Sequence, residues 1–236
     1  MRVEPHGEGS TLHVLKRGGR GANIVRDESD RKHFLQCLYY LNDEHQDTNW
    51  MHSVREQEFL ARPSDWPSQK PLVDVWAWTL MPNHFHLVLH ERQEKGIAKF
   101  MQRVGGSMSA RFNAKYHEKG SLFQGSYKAR VVEDDADLRW LASYVMAKNT
   151  LELYPGGLVK ALKSFDVAWK WGIDYPFSSM ALYAIKSTSP IVATNENLFL
   201  DMFKDPRKFK RDSRDTLDTY VAKNTQKHQE KLSLEY

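Results

Sequence analysis

The residues whose types and spacing most readily suggest chemistry are His84 and His86, within MPNHFHLVLHE. In a β-strand, residues i and i+2 project from the same face, so both imidazoles can reach one ion while Phe85 points to the opposite, apolar side. Imidazole suits borderline metals such as manganese or zinc better than magnesium, yet a mixed nitrogen and oxygen site accepts several divalent ions. An isolated H-x-H on a half-exposed strand is a weak motif and reads more readily as two polar surface residues. Here the pair starts a strand directly after a tight MPN turn and has a large apolar spacer, which favours the metal reading.

A tyrosine is the second candidate. A phenol with a pKa near ~10 is a poor nucleophile at neutral pH, but beside a metal-bound phosphate it can attack and leave as a phosphotyrosine ester. The chain has ten tyrosines, so position must discriminate among them. Tyr144 lies in DLRWLASYVMAKN, on the border of the apolar face formed by Leu138, Leu141 and Val145. Cationic candidates for phosphate binding are Lys16, Arg17 and Arg20, which flank the glycines of KRGGRG, and Lys128 and Arg130 further on. A solvated basic loop is the alternative reading of each.

The elements that must position these groups follow from periodicity. Ser10 to Leu15 reads as a strand and KRGGRGANIV as a basic turn. Asp27 to Asp30 cap a helix through RKHFLQCLYYL. Residues 42–70 read as a variable connection with one helix at most. Leu72 to Leu80, the MPN turn and HFHLVLHE form a hairpin, with Trp76 and Trp78 on one strand face as core. Gly96 to Tyr116 is an amphipathic helix, expected to kink at Gly105-Gly106. Asp134 to Asp137 cap the helix carrying Tyr144, which Tyr154-Pro155-Gly156-Gly157 ends. Trp140, Trp169 and Trp171 read as core. Phe165 to Trp171 is a short helix, and Ser178 and Ser179 cap a further segment. From Asp201 the chain is polar and lysine-rich, predicting a small helix around Leu217 and Tyr220 and a loose tail.

Composition narrows the classes. The 236 residues, with 41% hydrophobic and 27% charged, predict a folded domain with an appendage. A net charge of +4 suits a polyanionic partner without specifying one. The single cysteine, Cys37, excludes an internal disulfide framework and a Cys-rich zinc module. Without an apolar membrane span or a signal-type h-region, the expected location is cytoplasmic.

Taken in order, LMPNHFHLVL, GIAKFMQRVGGSMSARFN and SLFQGSYKARVVEDDADLRWLASYVMAKN resemble the REP-associated tyrosine transposases, part of the single-tyrosine HUH class. The resemblance runs from about Ser10 to Tyr183 and includes the basic opening and the closing YPFSS. It implies an α+β fold: an antiparallel sheet of ferredoxin-like or RRM-like topology with helices on one face, followed by a small C-terminal helical appendage. The corresponding division is a catalytic domain over 1–185 and an extension over 186–236. It implies a metal-dependent endonuclease and strand transferase for single-stranded, hairpin-forming DNA, using Mg2+ or Mn2+ and a 5′-phosphotyrosine intermediate. His84 and His86 match the catalytic histidines and Tyr144 the nucleophile, with Tyr127 as runner-up. The basic N-terminal segment would help read the hairpin, and a homodimer is one expected state.

One departure matters. The family pattern Y-x-x-x-N-P places a polar ligand four residues after the tyrosine, where this chain has Lys148; Asn149 follows at i+5, and Thr150 replaces the proline. On a regular helix i+4 falls about 40° from the tyrosine but i+5 about 140° away. Three outcomes compete: a π-bulge that restores Asn149 as ligand, a lysine that contacts phosphate instead, or a weakened metal site. The last keeps open a domesticated protein that binds structured single-stranded DNA or RNA without cutting it. A hydrolase using the same histidines is a third reading and leaves Tyr144 idle.

Overall fold

The computed structural model describes residues 6–233, with side chains as far as Asn224. Strand β1 is Thr11–Arg17 and a short 3-10 turn spans Gly19–Gly21. Helix α1 covers Glu28–Tyr40, and the single turn α2 covers Trp50–Ser53. Strands β2 (Val73–Leu80) and β3 (His84–Glu91) follow, then α3 (Gly96–Tyr116) and β4 (Lys128–Val131). These strands form one sheet in the order β2-β3-β1-β4, with every neighbouring pair antiparallel. Strand–helix–hairpin–helix–strand with this order is the ferredoxin-like arrangement, so the α+β expectation is borne out.

Local sequence explains the elements. Asp27 caps α1 through a full capping box: its side chain accepts from the Asp30 N–H, and the Asp30 carboxylate reaches back. Alternation on β1 sends Leu12 and Val14 to the helix-covered face, both fully buried, with Phe85, Leu87 and Leu89 beside them from β3. Phe34 of α1 packs on Phe85 with ring centroids 5.0 Å apart. Each such side chain contributes roughly 1.5–3 kcal/mol by burial.

Three expectations need correction. The strand extends two residues past Leu15, so Lys16 and Arg17 belong to β1 and not to the turn. Helix α3 runs unbroken through Gly105-Gly106; a Cβ at Gly105 would stand 3.0 Å from Lys16 Cε, so this glycine admits a crossing side chain and makes no kink. Trp76 and Trp78 do not share a face. The β2–β3 register shifts between Val75 and Ala77, leaving Trp76 as the extra residue of a bulge. Trp78 meets Phe34 edge-on, while Trp76 stacks on His90 at 5.1 Å, on the opposite side of the sheet.

Contacts group the chain into two compact units, one of residues 1–132 with Ser189–Asn197 and one of Glu133–Thr188 with Leu198–Tyr236. In the first, the returning segment donates from Ala193 N–H to the Val75 carbonyl and so covers the outer edge of β2. The second is helical: α4 Asp135–Ala142, a π-helical turn Ser143–Lys148, and α5 Asn149–Glu152. It continues with α6 Gly157–Lys163, α7 Phe165–Asp174, α8 Met180–Ile185, α9 Leu198–Met202 and α10 Pro206–Ser233. Asp134 caps α4 as expected. Leu217 of α10 is fully buried, and Ser213 of the same helix lies 3.4 Å from Ser143. The small helix expected around Leu217 and Tyr220 is the 28-residue α10, and the end of the expected tail, 234–236, lies outside the described residues.

Candidate active site

The histidine pair stands on the sheet face opposite α1 and α3. His84 lies across from Arg17 and His86 across from Leu15 in the β1–β3 register. Their ring centroids are 5.0 Å apart and the planes meet at 75°. With metal–nitrogen bonds of about 2.0–2.1 Å, two rings at this separation can share one ion.

The neighbours bias the tautomers. The Asn83 amide donates through Nδ2 to the Gly21 carbonyl, which turns its Oδ1 to His84 Nδ1 at 2.6 Å. An amide oxygen only accepts, so Nδ1 of His84 carries a proton, and in the neutral ring the lone pair then lies on Nε2, the form a metal needs. Nδ1 of His86, which is 3% exposed, lies 2.8 Å from Nε2 of His13. Alternation could have placed His13 away from the core, but only the register shows which imidazole it meets.

The same register gathers the cations. Lys128 pairs with Leu15 and Arg130 with His13, so Arg17, Lys128 and Arg130 all stem from the histidine face. Arg17, Arg20 and Lys128 are exposed and Arg130 is half-buried. Lys16 leaves from the other face. Its ammonium donates to the Gly125 carbonyl at 3.2 Å and sits 4.8 Å above the Phe123 ring, and burial lowers its pKa. Tyr127, just before β4, is half-buried; burial first, then the charge of Glu91, raises its phenol pKa and opposes formation of a phenolate.

The helical unit holds the other candidates. Tyr144 is half-buried and lies in the π turn, where the Asn149 N–H donates to the Tyr144 carbonyl. This i→i+5 bond places Asn149 one turn along from Tyr144, the position an i+4 residue holds on a regular helix. Asn149 is fully buried, and both its amide oxygen and nitrogen lack a hydrogen-bond partner. Such an orphaned amide costs about 1–3 kcal/mol, a cost that a ligand would relieve.

Lys148 is 7% exposed and pairs with Glu152 at 2.6 Å. Its ammonium stands 5.2 Å from the ring centroids of both Tyr144 and Tyr220. Burial alone would lower its pKa, but the Glu152 hydrogen bond and charge, with Tyr144 and Tyr220, raise it. Trp140, expected in the core, is 41% exposed and stacks on Tyr144 at 4.8 Å.

Among the described residues, no group of three or more His, Cys, Asp and Glu side chains is arranged to hold a metal ion. A centre built on the two histidines therefore needs a further donor of another type, and an amide oxygen is an accepted ligand for hard divalent ions. The two imidazoles suit Mn2+, and a site that adds oxygen donors accepts Mg2+ as well.

An H-x-H pair on a ferredoxin-like sheet, with a tyrosine on a following helix, defines the class to which the chain is similar. Residues 65–148 match the family model described as IS200-like transposase, so the resemblance read from the motifs is borne out over that stretch. It includes His84, His86, Tyr127, Tyr144 and Lys148 and stops one residue short of Asn149. Among solved structures, one described as a REP-associated tyrosine transposase bound to a REP hairpin is similar at 13% identity, with a TM-score of 0.45, covering 82% of this chain and 91% of that one. No curated protein matches the chain.

Proposed function

We propose that this protein is a transposase-like enzyme that nicks and rejoins single-stranded, hairpin-forming DNA through a 5′-phosphotyrosine intermediate. The observation that carries this reading is the histidine pair itself: two imidazoles on one sheet face, rings 5.0 Å apart, inside the stretch that matches the transposase family. His84, His86 and Asn149 would hold the divalent ion. When bound, Mg2+ or Mn2+ supplies positive charge that polarises the scissile phosphate and stabilises the departing oxygen.

The protein's own groups divide the remaining work. The Tyr144 oxygen forms a bond to phosphorus and loses its proton to solvent, while the bond to the 3′ oxygen breaks and that oxygen leaves as a hydroxyl. The Lys148 ammonium, close to the Tyr144 ring, favours negative charge on the phenol. Arg17, Lys128 and Arg130 neutralise backbone phosphates on the histidine face. Rejoining is the reverse attack by a 3′ hydroxyl on the phosphotyrosine. Among the described residues no helix is long and apolar enough to cross a membrane, and a cytoplasmic location is part of the proposal.

The test is incubation with a panel of single-stranded hairpins in Mg2+ or Mn2+, followed by denaturing electrophoresis. A protein–DNA adduct is expected from the wild type and none from Tyr144→Phe. Tight hairpin binding with no cleavage in any metal would select the domesticated binding protein instead.

A further inference from the structure

Each proposed histidine ligand has a partner at Nδ1, but the two partners come from different places. Asn83 reaches His84 as its chain neighbour. His13 reaches His86 diagonally across the sheet, since the register pairs His13 with Val88 and His86 with Leu15. Nε2 of His13 is 2.8 Å from Nδ1 of His86, the ring centroids are 5.1 Å apart and the planes differ by 16°, so the two rings meet edge to edge, nitrogen to nitrogen. An edge-to-edge contact of this length between two nitrogens requires one donor and one acceptor.

Two assignments satisfy that contact, and a cation selects one. If His86 offers the lone pair of Nε2, its proton lies on Nδ1 and His13 Nε2 accepts it; His13 then keeps its own proton on Nδ1. The acceptor restricts ring rotation and makes the ligand nitrogen more basic. This arrangement also explains why three nearby histidines are no three-histidine centre: His13 directs Nε2 at the back of His86.

We propose that His13 is a positioning residue that holds His86 in its metal-binding tautomer and orientation. The inference rests on the proposed metal centre and adds a residue that the H-x-H motif does not contain.

Manganese titration of the full chain, followed by the electron paramagnetic resonance of free Mn2+, tests both and separates them. His86→Ala is expected to abolish specific binding. His13→Phe keeps a flat ring but loses the acceptor, and should weaken binding 10- to 100-fold. His13→Gln, whose Oε1 can accept, should recover at least part of that loss. In the DNA adduct assay His13→Phe should require correspondingly more Mn2+, with the rate restored at saturating metal. Binding by His13→Phe within twofold of wild type, or no recovery by His13→Gln relative to Phe, overturns the positioning role while leaving the metal centre intact. If the wild type binds no Mn2+, or His86→Ala binds like wild type, the metal centre fails and the inference fails with it. Melting curves by circular dichroism identify a folding defect, and the Gln variant then decides.

Discussion

The sheet and the helical unit contribute to the proposed chemistry in contrasting ways. His84 and His86 stand on a regular strand, where alternation alone puts them on one face, and hydrogen bonds from ordinary neighbours set their nitrogens. Tyr144 lies in the one π-helical segment among the described residues and Asn149 caps its end, so their relationship depends on that irregularity. The first site is inexpensive in stability because its polar atoms are paired. The second leaves a fully buried amide without partners, so a stabilising free energy has been given up where a ligand is wanted.

The largest predicted effects remove either half outright. Tyr144→Phe or His86→Ala should reduce adduct formation by at least roughly a thousandfold, since nucleophile and metal act as a unit; quantitative gel assays check this. Equal activity in either variant would end the partnership.

The next effect separates the units by pH. His33, on α1, is 3% exposed, stacks on Trp50 and lies 3.2 Å from the Ser107 hydroxyl. Burial first, and the charge of Arg111 second, lower its pKa to about 4. A depressed histidine pKa means the unfolded chain takes up the proton first, so stability present above pH ~6.5 is lost as pH falls towards 4, amounting to about 3 kcal/mol. Urea unfolding at pH 7.5 and 4.5 should show the loss, and His33→Gln should flatten it. An unchanged slope in the variant would contradict the assignment.

Asn149→Leu sharpens the comparison in the helical unit. Replacing an orphaned amide by an apolar group of similar size should raise stability by about 1–2 kcal/mol, yet weaken Mn2+ binding and adduct formation about tenfold. Thermal melts and metal titration read the two effects separately, and a stabilised variant with undiminished metal affinity would remove Asn149 from the site. The smallest effect concerns phosphates. Arg17→Ala should lower hairpin affinity a few-fold and reduce the salt slope by about 1, whereas Lys16→Met, already engaged with Gly125 and Phe123, should leave the slope unchanged.

Sequence patterns made the strand histidines and the capped helices legible because strand parity and capping are local properties. The π turn was legible only as a conflict: an asparagine one residue beyond the expected spacing, whose resolution needed the Asn149 to Tyr144 hydrogen bond. The positions that escaped depend on register. A single bulge at Trp76 reverses which side that ring faces. Gly105 suggested a break because a glycine pair looks the same whether it bends a helix or admits Lys16. His13 gave no sign of its role, since its partner lies 73 residues away and meets it only through β1–β3 pairing.

Whether the sheet histidines and the tyrosine of the π turn serve one reaction, as proposed, is decided by mapping the adduct. A hairpin substrate is reacted in Mn2+, the protein is digested, and the nucleotide-bearing peptide is sequenced by mass spectrometry. A 5′-phosphonucleotide is expected on Tyr144, absent in chelator and absent in His84→Ala and His86→Ala. A nucleotide on Tyr127, or an undiminished Tyr144 adduct when both histidines are replaced, would contradict it.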